Sequence, residues 1–204
     1  MKNKTVKFIY FDLGGVIINN RVAVHNVAKR FGILPEHIRQ ILDQNWSAAC
    51  RGLLSSQEYM ALFKPLNIFH PHDDFVDFWS DHQGIYHETL KLIHELSETF
   101  RLGILSNAEL GMIEAHMNKK KLPRNTWSAI IESAQHKTIK PEKKIYKIAE
   151  KAANVVPEEI FFIDDVPKHI EVAKSLGWQG EVFDTNDISD SIERLKRQLL
   201  RSSK

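Results

Sequence analysis

Polar side chains that can act together chemically stand at four places in the sequence, three of them directly after apolar runs. They are Asp12, followed by Gly14-Gly15; Ser106-Asn107; Lys140, just before Pro141; and the pair Asp164-Asp165. Several carboxylates in one place repel each other unless a cation lies among them, and a set of oxygen ligands favours Mg²⁺. A hydroxyl, an amide and an ammonium group can bind an anion. Together these groups suit phosphoryl transfer to an aspartate, in which one carboxylate is the nucleophile.

The segments around these residues predict a parallel sheet. Residues 6–11, 100–105 and 160–163 are nearly continuous apolar runs, typical of strands that are covered on both faces. Residues 129–131 and 181–183 predict two weaker strands. Helices are expected near 108–118, from Pro141, between Asp165 and Gly177, and over 188–200. Because the carboxyl ends of parallel strands lie at one edge of a sheet, we expect the polar residues to meet there.

Residues 21–98 have a different character and predict helices without a convincing strand. Pro35 suits the first turn of a helix, and Ser55 with Glu58 forms a capping-box pattern. The predicted fold is α/β: a Rossmann-like parallel sheet with helices on both faces, plus a small helical cap domain. We expect residues 1–18 and 99–204 to form the α/β core domain and residues 19–98 to form the cap.

Composition excludes several classes of function. The chain has 28 basic and 26 acidic residues among 204, a net charge of +2, which predicts neither a nucleic-acid nor a membrane partner. The first apolar run is too short for a signal peptide and no run reaches membrane-spanning length, so a cytoplasmic protein is expected. The single Cys50 is expected to be an inert thiol. Lys119-Lys120-Lys121 is interpreted as a solvated turn, and the basic residues of 194–201 as the solvated face of a closing helix.

Taken together, the four segments resemble the motifs of the haloacid dehalogenase-like (HAD) hydrolase superfamily, in the branch with a small helical cap after the first motif. The matching stretches are Phe11-Asp12-Leu13-Gly14-Gly15-Val16-Ile17, Ile104-Leu105-Ser106-Asn107, Ile139-Lys140-Pro141-Glu142 and Phe161-Phe162-Ile163-Asp164-Asp165. They occur in the order of the family, and the resemblance covers about residues 6–185.

The resemblance implies a role for each matching residue. Asp12 would attack phosphorus to form an aspartyl-phosphate. Ser106 and the Asn107 backbone would bind the transferring phosphoryl group, and Lys140 would neutralise charge on the nucleophile and the phosphate. The implied ligands of Mg²⁺ are one oxygen of Asp12, the carbonyl of Gly14, and Asp165 with Asp164, directly or through water. The implied substrate is a small phosphorylated metabolite, and no oligomeric state is implied.

The sequence departs from the usual phosphatase pattern at Gly14. Many phosphatases of this family carry a second aspartate two residues after the nucleophile, which protonates the leaving oxygen and later activates water. Such general acid–base catalysis contributes about 10²–10⁴ in rate. Replacements are sought in the insertion, where each residue is more simply explained by packing or exposure. They are His25, His70, His72, His82, His87, Asn19 and Asn20.

Three other functions are compatible with parts of the pattern. A catalytically impaired ligand- or phosphate-binding protein fits the missing acid. A metal-independent haloacid dehalogenase would use Asp12 on a carbon–halogen bond, but this chemistry gives no reason for Asp164-Asp165. A receiver domain would carry its acidic pair at the first strand, whereas here the pair comes late. We therefore expect a Mg²⁺-dependent phosphatase.

Overall fold

A parallel sheet of five strands forms the centre of the computed structural model, which describes residues 5–70 and 72–200. The sheet strands are β1 (Phe8–Phe11), β4 (Arg101–Ser106), β5 (Trp127–Glu132), β6 (Ile160–Asp164) and β7 (Gln179–Val182), whereas β2 (Ile18–Asn19) and β3 (Gly84–Ile85) pair separately. The order in the sheet is β5-β4-β1-β6-β7. All neighbours are parallel, so the predicted sheet is confirmed.

Helices cover both faces of this sheet, as predicted. The helices are α1 (Arg21–Phe31), α2 (Pro35–Cys50), α3 (Ser56–Ala61), α4 (Phe75–His82), α5 (His87–Ser97), α6 (Met112–Asn118), α7 (Ser133–His136), α8 (Lys143–Ala153), α9 (Pro167–Ser175) and α10 (Ile188–Leu199). Side chains alternate along a strand. On β1, Ile9 and Phe11 pack in one cluster with apolar residues of α5, α6 and α10. Phe8 and Tyr10 pack on the other face with α8 and α9.

Helices α1 to α4 form a second apolar cluster of their own. It includes Val27, Ile38, Phe63 and Phe75, and it extends onto Met112 of α6. The capping box is present: the Ser55 hydroxyl accepts from the Glu58 backbone N–H, and Glu58 accepts from the Ser55 backbone N–H. Helix α5 also lies in the predicted insertion, but its Leu92 and Leu96 belong to the cluster on the sheet.

The expectation that residues 21–98 hold no strand was wrong at one point. β3 pairs antiparallel with β2, so that a two-residue ladder joins the two ends of the helical segment. Strands this short carry no periodicity that a sequence pattern could reveal. No helix among residues 5–70 and 72–200 is long and apolar enough to cross a membrane.

The interpretation of Lys119-Lys120-Lys121 as a solvated turn was wrong for two of the three lysines. Lys119 pairs with Asp81 at 2.7 Å. Lys121 donates through Nζ to the backbone carbonyls of Ser80 and of Gln83, the latter at 2.6 Å. These carbonyls lie at the C-terminus of α4, where the helix leaves them without partners of its own. The turn after α6 therefore holds α4 in place.

Candidate active site

The ends of β1, β4 and β6 bring three of the polar segments together. Phe11 is in register with Ile104 on one side and Ile163 on the other. The Asp12 backbone N–H continues the ladder by donating to the Ile163 carbonyl at 2.8 Å. Asp12 therefore projects from the central strand, between Ser106 at the end of β4 and Asp164 at the end of β6.

Lys140 is buried at this edge of the sheet and links two of its carboxylates. Its Nζ lies 2.9 Å from Asp12 Oδ1 and 2.7 Å from Asp164 Oδ2, and the side chain has no exposed area. Asn107 holds the lysine backbone in place: its Oδ1 accepts from the Lys140 N–H at 2.7 Å, and its Nδ2 donates to the Lys140 carbonyl at 3.0 Å. The Asn107 side chain thus positions Lys140. The Asn107 backbone and the Ser106 side chain remain for a ligand.

The electrostatics of the site follow from this burial. Burial alone would lower the pKa of Lys140, but Asp12 and Asp164 outweigh it and raise the pKa, so the lysine is an ammonium. Burial raises the pKa of Asp12 to about 7 despite Lys140, with Asp164 and Asp165 adding to the rise. For Asp164, burial is outweighed by Lys140 and His169, which lower its pKa to about 2. Burial and the neighbouring carboxylates therefore disfavour the charged form of Asp12 more than the single lysine favours it.

Asp165 lies against the turn formed by Gly14-Gly15. A Cβ built on Gly15 would come within 2.2 Å of Asp165 Oδ2, and Gly15 has a φ of +80°, so only glycine fits. Burial, followed by the charge of Asp164, raises the pKa of Asp165. Among residues 5–70 and 72–200, no other residue donates a hydrogen bond to its carboxylate, while the Asp165 backbone N–H and the charges of Lys140 and Arg21 oppose the rise in pKa. This carboxylate is therefore available to a cation.

The donor set fits Mg²⁺ better on the Asp165 side than on the Asp164 side. Asp12, Asp164 and His169 offer ligand atoms within 4.8 Å of one another. The Asp164 oxygens, however, accept from Lys140, from the Val166 N–H at 2.8 Å and from His169 at 3.0 Å. Asp12 accepts from the Leu13 N–H through Oδ1 at 2.7 Å, and its Oδ2 has no donor among residues 5–70 and 72–200. Mg²⁺ prefers such oxygen ligands.

A cavity of about 200 Å³ adjoins the site, between residues that follow β1 and β4 and residues of the helical segment. Gly14, Ser106 and Asn107 line it from the sheet. The residues that complete its wall are Leu13, Ile18, Asn20, Val24, Leu42, Asp43, Trp46, Trp79, Gln83, Ala108, Glu109, Met112 and His116. A larger cavity of about 660 Å³, between α5 and the loop after α6, includes none of the predicted site residues. The small cavity is therefore the candidate substrate site.

Asn20 occupies the space that a second aspartate would need. Its Nδ2 would lie 2.9 Å from a Cβ on Gly14. An amide cannot donate its proton to a leaving group near neutral pH, so Asn20 fills the space without replacing the acid. Asn19 is half-buried, with an Oδ1 that has no partner among the described residues.

None of the five histidines proposed as a replacement lines this cavity in the described chain. His25 and His87 are exposed. His70, His72 and His82 border a different cavity beside α4. The Nδ1 of His82 lies 2.8 Å from the Phe78 carbonyl. Their positions on the helical segment, which the sequence does not reveal, separate them from Asp12.

Three residues near the site were not singled out from the sequence. His169 contacts Asp164, and its place five residues later, at the start of α9, is the signal that could have suggested it. Glu109 follows Ser106 by three residues, yet it reads as an ordinary first-turn acid. His116 is fully buried in α6, and neither ring nitrogen has a partner among residues 5–70 and 72–200. Burial lowers the pKa of His116 to about 4, so the ring is neutral.

Comparison with known proteins gives a family and several similar folds. The family model described as haloacid dehalogenase-like hydrolase matches residues 9–180. None of the curated proteins compared with the chain matches it.

Three solved structures illustrate the similarity. The HAD family enzyme BT-2542 of Bacteroides thetaiotaomicron is 23% identical, with a TM-score of 0.76 over 94% of this chain and 100% of that one. It has also been crystallised with magnesium and inorganic phosphate. A predicted HAD-like hydrolase of Porphyromonas gingivalis is 25% identical, with a TM-score of 0.74 over 95% of this chain and 99% of that one. The L-2-haloacid dehalogenase of Xanthobacter autotrophicus is 19% identical, with a TM-score of 0.68 over 97% and 83% of the chains.

The Xanthobacter neighbour is a dehalogenase, whereas the Porphyromonas neighbour is described only as a hydrolase, so the shared fold alone does not select a substrate. The family model, in contrast, spans most of the sequence, including the stretches that contain Asp12, Ser106, Lys140 and Asp164. The protein belongs to the haloacid dehalogenase-like hydrolase family.

Proposed function

We propose that this hydrolase is a Mg²⁺-dependent phosphatase that acts on a small phosphorylated metabolite through an aspartyl-phosphate on Asp12. One observation carries the proposal: Nζ of the buried Lys140 lies 2.9 Å from Asp12 and 2.7 Å from Asp164, with Asp165 beside them. The three carboxylates outnumber the one ammonium group, and a bound divalent cation would offset the excess negative charge so that an anionic phosphate could approach.

Asp12 is the proposed nucleophile. Its Oδ1 is fixed by the Leu13 N–H and Lys140, so the carboxylate is held before substrate enters. One Asp12 oxygen attacks phosphorus while the bond from phosphorus to the leaving oxygen breaks. The Ser106 hydroxyl and the Asn107 backbone N–H donate to the phosphoryl oxygens, and Lys140 neutralises charge between nucleophile and phosphate.

The proposed ligands of Mg²⁺ are Asp12, the Gly14 carbonyl and Asp165. Asp164 would act through water, because Lys140, Val166 and His169 already donate to both its oxygens. When bound, Mg²⁺ supplies positive charge that lets an anionic carboxylate and an anionic phosphate approach each other. Crystallisation of BT-2542 with magnesium and inorganic phosphate supports this choice of cofactor.

The cavity favours a small substrate with an uncharged leaving group. Its volume of about 200 Å³ is below the roughly 300–1,000 Å³ of drug-sized ligand sites. Its wall contains two carboxylates, Asp43 and Glu109, and no lysine or arginine among the residues that line it. A leaving group with its own carboxylate or second phosphate would meet like charge there. A polynucleotide does not fit such a cavity.

The helical segment is the proposed cap. Residues 19–98 form this unit in the proposal, and residues 1–18 and 99–204 form the core. The separate apolar cluster of α1 to α4 supports the division, while the packing of α5 on the sheet moves the effective boundary toward β3. A cap over the cavity would exclude water from the site and limit substrate size.

The test is hydrolysis of p-nitrophenyl phosphate by the parent protein and by Asp12→Asn. We expect measurable turnover with Mg²⁺, none in EDTA, and a loss in the variant of at least about 10³-fold, because an amide cannot form the acyl-phosphate. Asp81→Asn is the matched control, since this carboxylate is exposed and, among residues 5–70 and 72–200, its ion pair is with Lys119 on the protein surface.

Three results would redirect the proposal. Turnover that is equal in Asp12→Asn and the parent would remove Asp12 as the nucleophile. Phosphate binding without any turnover would instead favour the impaired binding protein. Release of halide from a 2-haloacid in EDTA would favour the metal-independent dehalogenase.

A further inference from the structure

The site lacks a proton donor on its leaving-group side. Gly14 has no side chain, and the amide of Asn20 lies beside it. The cavity lined by Leu13, Gly14, Ser106 and Asn107 adjoins Asp12 in the chain, and we assign the leaving group of a phosphate on Asp12 to this cavity. A general acid must therefore lie on the wall of this cavity, and its side chain must be able to lose a proton near neutral pH.

We infer that Glu109 is this general acid and base, a role that rests on the proposed function. Glu109 lines the same cavity as Gly14 and Ser106. It follows Ser106 by three residues, so its backbone lies at most about 11 Å from that of Ser106. The other carboxylate on the wall, Asp43, belongs to α2 and is exposed, whereas Glu109 is half-buried.

Buried hydrogen bonds fix the loop that carries Glu109. The Ala108 N–H donates to Ser133 Oγ at 3.0 Å, and that hydroxyl donates to the Cys50 carbonyl at 2.6 Å. The Glu109 carbonyl accepts from the Met112 N–H at 3.1 Å. Glu132 accepts from the N–H groups of Gly111 and Ile113 at 3.0 and 3.1 Å. A catalytic group gains from such a preorganised support.

The surroundings of Glu109 give it a suitable acidity. Burial raises its pKa to about 7, and the Glu132 carboxylate adds to the rise, while the backbone N–H of Glu109 opposes it. The titratable groups that act on it electrostatically are Glu132 of β5, Cys50 at the end of α2 and Tyr59 of α3. Asp43 of α2 and His116 of α6 line the same cavity. An acid with a pKa near 7 can both give and take a proton at neutral pH.

The two steps balance with Glu109 in this role. In the first, Asp12 bonds to phosphorus, the bond to the leaving oxygen breaks, and that oxygen takes the Glu109 proton to leave as an alcohol. In the second, the Glu109 carboxylate takes a proton from water as the water oxygen bonds to phosphorus. The bond from phosphorus to Asp12 breaks, inorganic phosphate leaves, and Glu109 is protonated again.

The test compares Glu109→Gln with the parent on two phosphates of different leaving group. Glycerol 2-phosphate releases a poorly stabilised alkoxide that needs the proton, whereas p-nitrophenyl phosphate releases a stable phenolate. We expect kcat/KM to fall by about 10²-fold or more for glycerol 2-phosphate and by less than about tenfold for p-nitrophenyl phosphate. The alkaline decline of kcat/KM for glycerol 2-phosphate, which reports the acid, should disappear in the variant.

Two further variants separate this role from others. Glu114→Gln, a change of the same type on the exposed face of α6, should leave both substrates unaffected. Asp43→Asn tests the other carboxylate on the wall. The inference would be overturned if kcat/KM for glycerol 2-phosphate alone fell in Asp43→Asn and did not fall in Glu109→Gln. An equal loss on both substrates in Glu109→Gln would also overturn it, since it would indicate a structural or binding role.

The melting temperature shows separately whether Glu109→Gln is folded. Because the native pKa of Glu109 is raised from 4.5 to about 7, the native state binds the extra proton, and its contribution to stability is lost as pH rises through about 7. Glu109→Gln should therefore melt at a higher temperature than the parent at pH 8. A parent that hydrolyses neither phosphate would fail the proposed function, and this inference with it, whereas failure confined to Glu109 would leave Asp12 catalysis intact.

Discussion

At the scale of single residues, two adjacent glycines have different reasons to be glycine. Gly15 has a positive φ and lies under Asp165, so any side chain would displace a proposed metal ligand. Gly14 has no such φ, and a Cβ there would meet only the terminal amide of Asn20 at 2.9 Å. The amide is on an exposed side chain that can rotate away. An aspartate at position 14 is therefore sterically accessible.

We expect Gly14→Asp to change turnover of glycerol 2-phosphate little in the parent protein and to raise it in the Glu109→Gln background. If Glu109 already supplies the proton, a second acid should change turnover of glycerol 2-phosphate by less than about threefold. In Glu109→Gln the same change should restore about tenfold or more, because general acid catalysis contributes about 10²–10⁴. The rates of the parent, the two single variants and the double variant form a double-mutant cycle.

Additive effects in this cycle would show that the two positions do not share one task. Gly15→Ala is the matched control for a side chain added to the turn: it should lower Mg²⁺-dependent activity in both backgrounds, because it moves Asp165.

At the scale of elements, the helical segment is attached to the core through a few specific contacts. Lys121 binds the C-terminal carbonyls of α4. At the other side, Arg51 after α2 pairs with Glu142 before α8, next to Lys140. Both contacts join residues that are far apart in sequence, so neither could be read from local patterns. They determine where the cavity wall stands relative to Asp12.

We expect Lys121→Met to destabilise the protein by about 1–3 kcal/mol, because it leaves partly buried carbonyls of Ser80 and Gln83 without a donor. The free energy of unfolding from urea titration measures the loss. Lys120→Met is the matched control, since Lys120 is exposed, and a surface change of this kind should stay within about 0.5 kcal/mol. Equal effects of the two substitutions would contradict the assigned contact.

The burial and packing of the elements also explain which of them could be predicted from the sequence. Apolar runs ending in Asp12, Ser106 and Asp164 predicted the central strands, because strands buried on both faces are apolar throughout. β5 was underestimated: it lies at the sheet edge, its first four residues alternate between exposed and half-buried, and only its end is apolar and buried. The start of α6 was placed too early, because the loop at Ala108 is held by Ser133 rather than by helical bonds.

At the scale of the whole molecule, the order of the strands in the sheet determines which residues come together in the site. The order β4-β1-β6 places three strand ends side by side. The family motifs were recognisable because each is a short continuous stretch of sequence, three of them at these strand ends and the fourth around Lys140. The missing acid was not recognisable. Glu109 acquires its surroundings from α2, α3 and β5, which fold onto it from distant parts of the chain. A local sequence pattern does not contain these contacts with distant parts of the chain.

The most direct measurement of the central claim is detection of the covalent intermediate. The protein is mixed with Mg²⁺ and p-nitrophenyl phosphate, quenched within one turnover, and treated with borohydride, which reduces an acyl-phosphate but not a free carboxylate. Mass spectrometry of the peptide that contains Asp12 should show reduction at that position, dependent on substrate and Mg²⁺. Turnover with no modified Asp12, or with the modification on another residue, would contradict the account.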